Sequence, residues 1–525
     1  MSGLGGSRRR LAALGLAAIA VSLLAACGGS KGGGTASVSG SAAAENGGSL
    51  RIAHVATRIS SLDPVSSGSG FDQTVLYSVY DTLIDFNPQT MEPTPGLATS
   101  WKFVTPTELD LTLRKGVKFQ DGTPFNAAAV VFNLNRDITT KNSFIAGDLT
   151  SIKSVTASGD TVKIALKSPN SALPLVLSDR AGMMVSPAAV RKEGDTAFQT
   201  KPVGTGPFMV TGAVLNQYVT MKAFAGYWGG KPRLAGLQYT VMPEAQAAVN
   251  ALRNGQQDLI DSVPAANVAQ LQADKNVTTL ISDGLAMQTC ELRLNTGPLA
   301  NATVRQALNY GIDRQAINQV ANLGHGKPSD VMFPQESWEY PGNVASVYSY
   351  DPAKAKQLLA SAGYKAPVTI TAAVDVLEPW PTIGQAMKAQ LAAAGFNLNL
   401  VPLAAAESTP EFTQQGKFDM MCKTWTGRPD PYQTYTQKIV PATGDTPPYT
   451  PPPGVLSSLQ ATIDVTSIPA RQAAIKKLEE LVTAKYALLL PIVTQPDIQA
   501  MGTDVHGFQQ NLYGKPKYGT SIWLS

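Results

Sequence analysis

Leu11 to Leu24 is apolar apart from Ser22 and directly follows Arg8-Arg9-Arg10. At about 14 residues it is shorter than the roughly 20 that a permanent membrane helix needs, so the basic head and apolar run read as a secretion signal, residues 1–26. No later stretch offers 18 consecutive apolar residues. The remainder is therefore expected to fold as a water-facing body with no channel of its own. With 525 residues, 44% of them hydrophobic and 15% charged, that body is too long for one core and calls for two or three packed lobes.

The apolar run ends in Leu24-Ala25-Ala26-Cys27-Gly28, which resembles a bacterial lipobox, with the Cys27 thiol as the lipidation point. Gly, Ser and Ala dominate from Gly28 to Gly48, a composition that buries no apolar area and behaves as a flexible coil. Residues 27–48 are thus expected to be a lipidated cysteine and tether, holding the body outside the cytoplasm on the cell membrane. Ser7-Arg8-Arg9-Arg10-Leu11 partly matches a twin-arginine signal and equally suits a generic basic head, so both export routes stay open.

Lysine plus arginine total 42 against 38 acidic residues, and Arg8 to Arg10 leave with the signal. The near-neutral remainder has no basic stripe for nucleic acid. His54, His325 and His506 are scattered and form no helical ligand spacing, so neither a metal nor another cofactor is expected. No Gly-x-Ser-x-Gly elbow and no Cys/His arrangement appears, which weighs against an enzyme such as a secreted hydrolase.

Strand-like alternation at Ser49–Val55, Glu108–Leu113, Thr161–Leu166, Tyr218–Ala223 and Gln238–Met242 is interleaved with helical spacing. Helices are predicted at Gln73–Asp85, Ala127–Thr139, Ala245–Asn254, Val304–Asn322, Pro352–Ala362, Trp380–Ala394 and Pro469–Tyr486. This alternation predicts an α/β architecture. Lys115-Gly116-Val117-Lys118-Phe119-Gln120-Asp121-Gly122 reads as strand, glycine turn, strand and Asp-Gly turn, a device for holding the fold.

Several ordered segments resemble the family 5 extracytoplasmic solute-binding proteins of ABC importers, the dipeptide, oligopeptide and nickel receptors. They are Leu62-Asp63-Pro64, Tyr80-Asp81-Thr82-Leu83, Gly96 to Trp101, Leu113 to Phe125, Val203 to Phe208, Val304 to Leu308 with Ile312-Asp313-Arg314, and Tyr350 to Ala355. The resemblance covers about residues 50 to 495. It implies a periplasmic-binding-protein-like clamshell (class II, cluster C type) of two main lobes plus an extra one. Lobe I would take residues 49–85, 201–286 and 495–525; lobe II would take 86–200; lobe III would take 287–494. The ligand would lie between lobes I and III, with chain crossings near Leu285 to Leu292 and Pro491 to Pro496. The implied protein is a monomer that captures a peptide or peptide-like solute without turnover and hands it to permease and ATPase subunits.

In peptide-binding relatives a Trp-x-x-Asp element lines the pocket, its carboxylate pairing with the peptide ammonium. Trp425 matches the tryptophan, either as a flat pocket wall or as a core side chain, but Arg428 stands where the aspartate would be. A guanidinium suits a carboxylate or phosphate instead. Two readings follow: Arg428 anchors an anionic group of the solute, or it pairs with Asp430 or Asp419 and braces its loop. Asp430 could also swing in to replace the missing carboxylate. The departure admits acidic non-peptide solutes such as opines or glycoconjugates; a metal or haem chelate draws little support from three scattered histidines. Further wall candidates are Gly70, Phe71, Met287, Trp380 and Tyr432, each with ordinary packing as the alternative. Cys290 and Cys422 are left after lipidation, either as a disulfide or as two buried thiols.

Overall fold

A computed structural model describes residues 47–525 apart from Thr57. The signal segment, Cys27 and nearly all of the tether lie outside the described residues. Three larger sheets organise the chain, and each takes its strands from distinct stretches of sequence.

A seven-stranded sheet has Ser49–His54 at its centre, parallel to Gly236–Val241 on one side and Leu259–Ile260 on the other. Phe208–Val214, Tyr218–Ala223, Val277–Ser282 and Asp497–Gly502 complete it. Leu50 and Ile52 point into its core, as the alternation in this strand requires. A four-stranded antiparallel sheet is built from Ala98–Thr105, Glu108–Leu113, Thr161–Leu166 and Ile152–Ser158, with the helix Ala127–Thr139 packed on it. The six-stranded sheet runs Lys327–Pro328, Leu489–Thr494, Met287–Leu292, Met420–Trp425, Val368–Val374 and Phe396–Pro402. Within it Val368–Val374 is parallel to both of its neighbours, as an α/β unit requires.

The chain passes between the seven- and six-stranded sheets twice, at residues 283–286 and at 495–496. The crossings are joined by a hydrogen bond from the Gln495 N–H to the Ala286 carbonyl, 2.8 Å. The first crossing is shorter than expected. Met287 to Leu292, read as part of it, is a strand buried throughout.

Two helix predictions need correction. The stretch Val304–Asn322 forms two helices, Ala302–Tyr310 and Arg314–Ala321. Gly311 ends the first, and the Asp313 carboxylate accepts the Ala316 N–H at 2.9 Å to cap the second. The helix predicted to reach Asp85 stops at Val79, where Tyr80 turns extended and the chain enters the strand Ile84–Phe86.

The motif residues act as joints. The buried Gln120 amide donates to the carbonyls of Val79, Gly206 and Phe208 at 2.8 to 3.1 Å and accepts the Gly204 N–H. A side chain at Gly204 or Gly206 would strike the Val79 backbone, which explains glycine at both positions. Asp63 is held by Arg136 through both carboxylate oxygens. Among the described residues no helix is long and apolar enough to cross a membrane.

Candidate functional site

Four segments converge beside the two crossings. They are the loop at residues 66–72, the 3-10 turn Arg180–Gly182, the loop at 426–430 after the strand Met420–Trp425, and the loop at 511–517. A Cβ on Gly70 would sit 3.3 Å from the Thr426 hydroxyl, so glycine lets the first loop close onto the third. Gly427 has φ +76° and lies so near Leu285 that any side chain would collide with it. This close approach places Arg428 next to the first crossing.

Trp425 ends its strand nearly buried, 6% exposed, opposite Met287 in the antiparallel register. The Arg428 guanidinium lies 4.8 Å from the indole centroid and the Lys438 ammonium 4.4 Å from it. The indole N–H is buried and has no hydrogen-bond partner in the structure.

Arg428 is not braced in either of the ways considered. Its Nη1 donates to the carbonyl of Gly427 at 2.8 Å, its Nε is buried without a partner, and no carboxylate among the described residues lies within ion-pair distance. Asp430 is fully buried and turned elsewhere. Its carboxylate receives both Arg471 nitrogens at 2.7 and 2.8 Å and caps the helix Pro431–Ile439 through the Tyr432 N–H. An aspartate held in this way cannot swing in as the missing ammonium partner. Asp419 instead accepts the Thr371 N–H at 2.8 Å.

Two further cations share this environment, and the sequence reading overlooked both. Arg180, 7% exposed, donates through Nη1 to the Ser67 carbonyl, and its Nε is buried with no partner. Lys515, 5% exposed, donates to the Thr426 carbonyl at 3.3 Å and lies over the Tyr513 ring. Burial pushes the Lys515 ammonium well below its usual range; Asp179 and Asp497 oppose this, while Arg428 and Arg180 add to it. Asp179 accepts from the Gln73 amide at 2.7 and 2.9 Å and from the Tyr513 hydroxyl at 2.9 Å. Burial also raises Asp148 against the pull of Arg428 and Arg180. Asp497, beside the second crossing, is pushed up to about 7 by burial, partly offset by the Gln499 amide.

The remaining wall candidates divide. Phe71 is 44% exposed and lies edge-on to His54, with ring centroids 6.2 Å apart. Met287 is fully buried within the core. Trp380 is also a core side chain, its indole N–H donating to the Thr424 hydroxyl at 3.1 Å, which bonds in turn to Gln495 of the second crossing. Tyr432 is half-buried between the hydrophobic clusters of two sheets. Cys290 and Cys422 face each other in register and form a disulfide.

A second charged group reaches Trp425 through Lys438. Lys438 is fully buried and is paired with Glu291 and, at 3.0 Å, with Asp445, which also binds Lys423 at 2.8 Å. Among the described residues no three His, Cys, Asp or Glu side chains converge in a way that could hold a metal. A cavity of about 430 Å³ between Pro187–Phe198 and Phe208–Val214 shares no lining residue with the convergence described above.

Arg180 carried a faint sequence signal, since Ser178-Asp179-Arg180 interrupts an otherwise apolar stretch from Leu173 to Val185. Lys515, in Gly514-Lys515-Pro516-Lys517, carried none.

Residues 92–446 match the profile of the bacterial extracellular solute-binding proteins, family 5 Middle. The glutathione-binding protein GsiB of Salmonella choleraesuis is 34% identical over 320 residues, 60% of this chain and 61% of that protein. The chain thus matches about three fifths of the length of that relative. Among solved structures, the periplasmic binding protein DppA of Helicobacter pylori, in complex with the peptide STSA, superposes with a TM-score of 0.77 at 23% identity, covering 91% of this chain and 98% of that one. AgaA from A.tumefaciens R10, in complex with agropinic acid, gives 0.78 at 24% identity, covering 91% and 99%. These likenesses show the fold, a clamshell of the periplasmic-binding-protein type. The chain belongs to the family 5 bacterial extracellular solute-binding proteins.

Proposed function

We propose that this protein is the lipid-anchored receptor of an ABC importer, capturing a peptide or peptide-like solute outside the cytoplasm and releasing it intact to permease and ATPase subunits. Lobe I corresponds to the seven-stranded sheet, lobe II to the four-stranded sheet and lobe III to the six-stranded sheet, and the two crossings act as the hinge. The solute lies where the loops at 66–72, 426–430 and 511–517 meet, against Trp425, Arg428, Gly70 and Phe71.

One observation carries this reading. Buried donors at the meeting point, the Trp425 Nε1 and the Arg428 and Arg180 Nε atoms, have no protein acceptor. Native interiors rarely leave such groups unpaired, and a bound solute would supply the acceptors. The Arg428 charge also favours a second reading, in which the solute is an acid without a peptide backbone.

The test is a thermal-shift panel on the full chain in detergent, covering di- to pentapeptides, amino-acid conjugates and small dicarboxylic acids. A saturable rise in melting temperature is expected, with the solute recovered unaltered by mass spectrometry. No shift with any compound, or chemical turnover, would remove the receptor reading. Cys27→Ser should move the protein from membrane to soluble fraction while leaving that shift in place.

A further inference from the structure

Arg180, Arg428 and Lys515 come from three different parts of the fold. Arg180 lies beside Ala181, which packs into the core of the four-stranded sheet. Arg428 follows a strand of the six-stranded sheet. Lys515 belongs to the segment that follows Asp497–Gly502 of the seven-stranded sheet. All three are mostly or partly buried, and each donates in the structure to one backbone carbonyl. None has a carboxylate within ion-pair distance among the described residues.

Bringing three like charges together inside a protein is unfavourable unless an anion offsets them. The carboxylates facing them do so only partly. Asp179 is engaged by neutral donors, Asp148 is held up by burial, and Asp497 is held up likewise while bonding to Gln499. A guanidinium grips a carboxylate through a two-pronged contact, so two guanidiniums call for two such groups. One carboxylate offers about four acceptor sites, fewer than two forks, an ammonium and an indole N–H can use.

We infer that the solute carries two anionic groups, gripped by Arg180, Arg428 and Lys515, and that it needs no free ammonium for recognition. The inference rests on the receptor reading above and names the solute class of that same site. It also gives closure a cause: a dianion relieves the repulsion that arises when cations from three regions meet. Ala-Glu, with two carboxylates, is the acidic peptide probe, and N-acetyl-Ala-Glu removes its ammonium. Ala-Gln and Ala-Gln amide remove one and both carboxylates, and glutarate presents a diacid without a peptide.

Isothermal titration of the full chain should show Ala-Glu and N-acetyl-Ala-Glu binding alike and at least tenfold tighter than Ala-Gln, with the amide weakest. Glutarate equal to Ala-Glu would assign recognition to the two acids alone, whereas a large deficit would add peptide contacts to them. Arg180→Gln and Arg428→Gln should each bring the Ala-Glu to Ala-Gln ratio close to one, and Arg428→Lys, which keeps charge but loses the fork, should lie between. A melting temperature close to that of the parent verifies that each variant is folded. Ala-Gln amide binding as tightly as Ala-Glu, or ratios unmoved in both glutamine variants, would overturn the inference and leave a charge-blind receptor standing. If none of these probes and no member of the wider panel binds, the receptor reading falls with it.

Discussion

Two groups of buried charges reach Trp425, one through Arg428 and one through Lys438, and they are built in opposite ways. In one, Lys438, Glu291, Asp445 and Lys423 alternate in sign, and each ammonium meets a carboxylate. Burial works to raise Asp445, yet Lys438 and Lys423 hold it well below the usual carboxylate range. Burial works against the Lys438 charge, and Glu291 and Asp445 override it, so this lysine is raised. In the other, Arg180, Arg428 and Lys515 donate to backbone carbonyls, and burial drives Lys515 well down. The first group is electrically complete and braces the sheet that carries Trp425. The second is short of negative charge, which is what a binding site for an anion needs before its ligand arrives. A buried cation therefore tells little about function until its partners are known.

The largest effect should come from the completed group. Lys438→Met leaves Glu291 buried without a counter-charge, an arrangement that costs about 3 to 5 kcal/mol. Urea denaturation should show that loss, and a midpoint close to the parent's would erase the contrast between the two groups.

A smaller effect should appear in the pH dependence of stability, where Asp497 and Asp445 act with opposite signs. The folded-state value of Asp497, about 7, exceeds that of an unfolded aspartate, so the folded chain holds the extra proton. Stability from this group is full below about pH 4 and is lost as pH rises towards 7, at up to about 1.4 kcal/mol per pH unit. The depressed Asp445 instead contributes stability above its unfolded value and loses it in acid. Asp497→Asn should therefore flatten the decline in denaturation midpoint between pH 4.5 and 7, and an identical slope in parent and variant would sink the assignment. Lys515, being lowered, contributes with the opposite sign, its stability rising with pH from its folded value upward. Only the difference between parent and variant therefore isolates Asp497.

The smallest change in stability is expected at Lys515. Lys515→Met removes a buried charge that has no carboxylate partner, so the melting temperature should hold or rise, with a stability change of at most about 1 kcal/mol. A loss as large as that of Lys438→Met would show that Lys515 is braced like its counterpart, and would merge the two groups into one kind.

Much of the fold was legible in local sequence. Alternation at Ser49–His54 and Glu108–Leu113 and the helical spacing that starts at Pro352 act over a few residues, where periodicity operates. The break at Gly311 was also present in the sequence, but a continuous apolar stripe hid it from a reading based on periodicity. The site was legible only in part. Trp425 and Arg428 sit in a recognisable element; Trp425 packs in the same core as Met287, but its indole N–H has no protein acceptor, whereas that of Trp380 is bonded to Thr424. Asp430 could not be separated from a pocket carboxylate without Arg471, which lies 41 positions away.

By itself, the sequence determined an α/β body, the family to which it belongs and the charge reversal at Arg428, because each is written in contiguous residues. Tertiary structure alone decided that Arg428 lacks a carboxylate partner, that Asp430 is committed to Arg471, and that Arg180 and Lys515 join the same charged group. Pairing and burial of charges depend on distances between segments hundreds of residues apart, and electrostatic energy follows those distances rather than position along the chain.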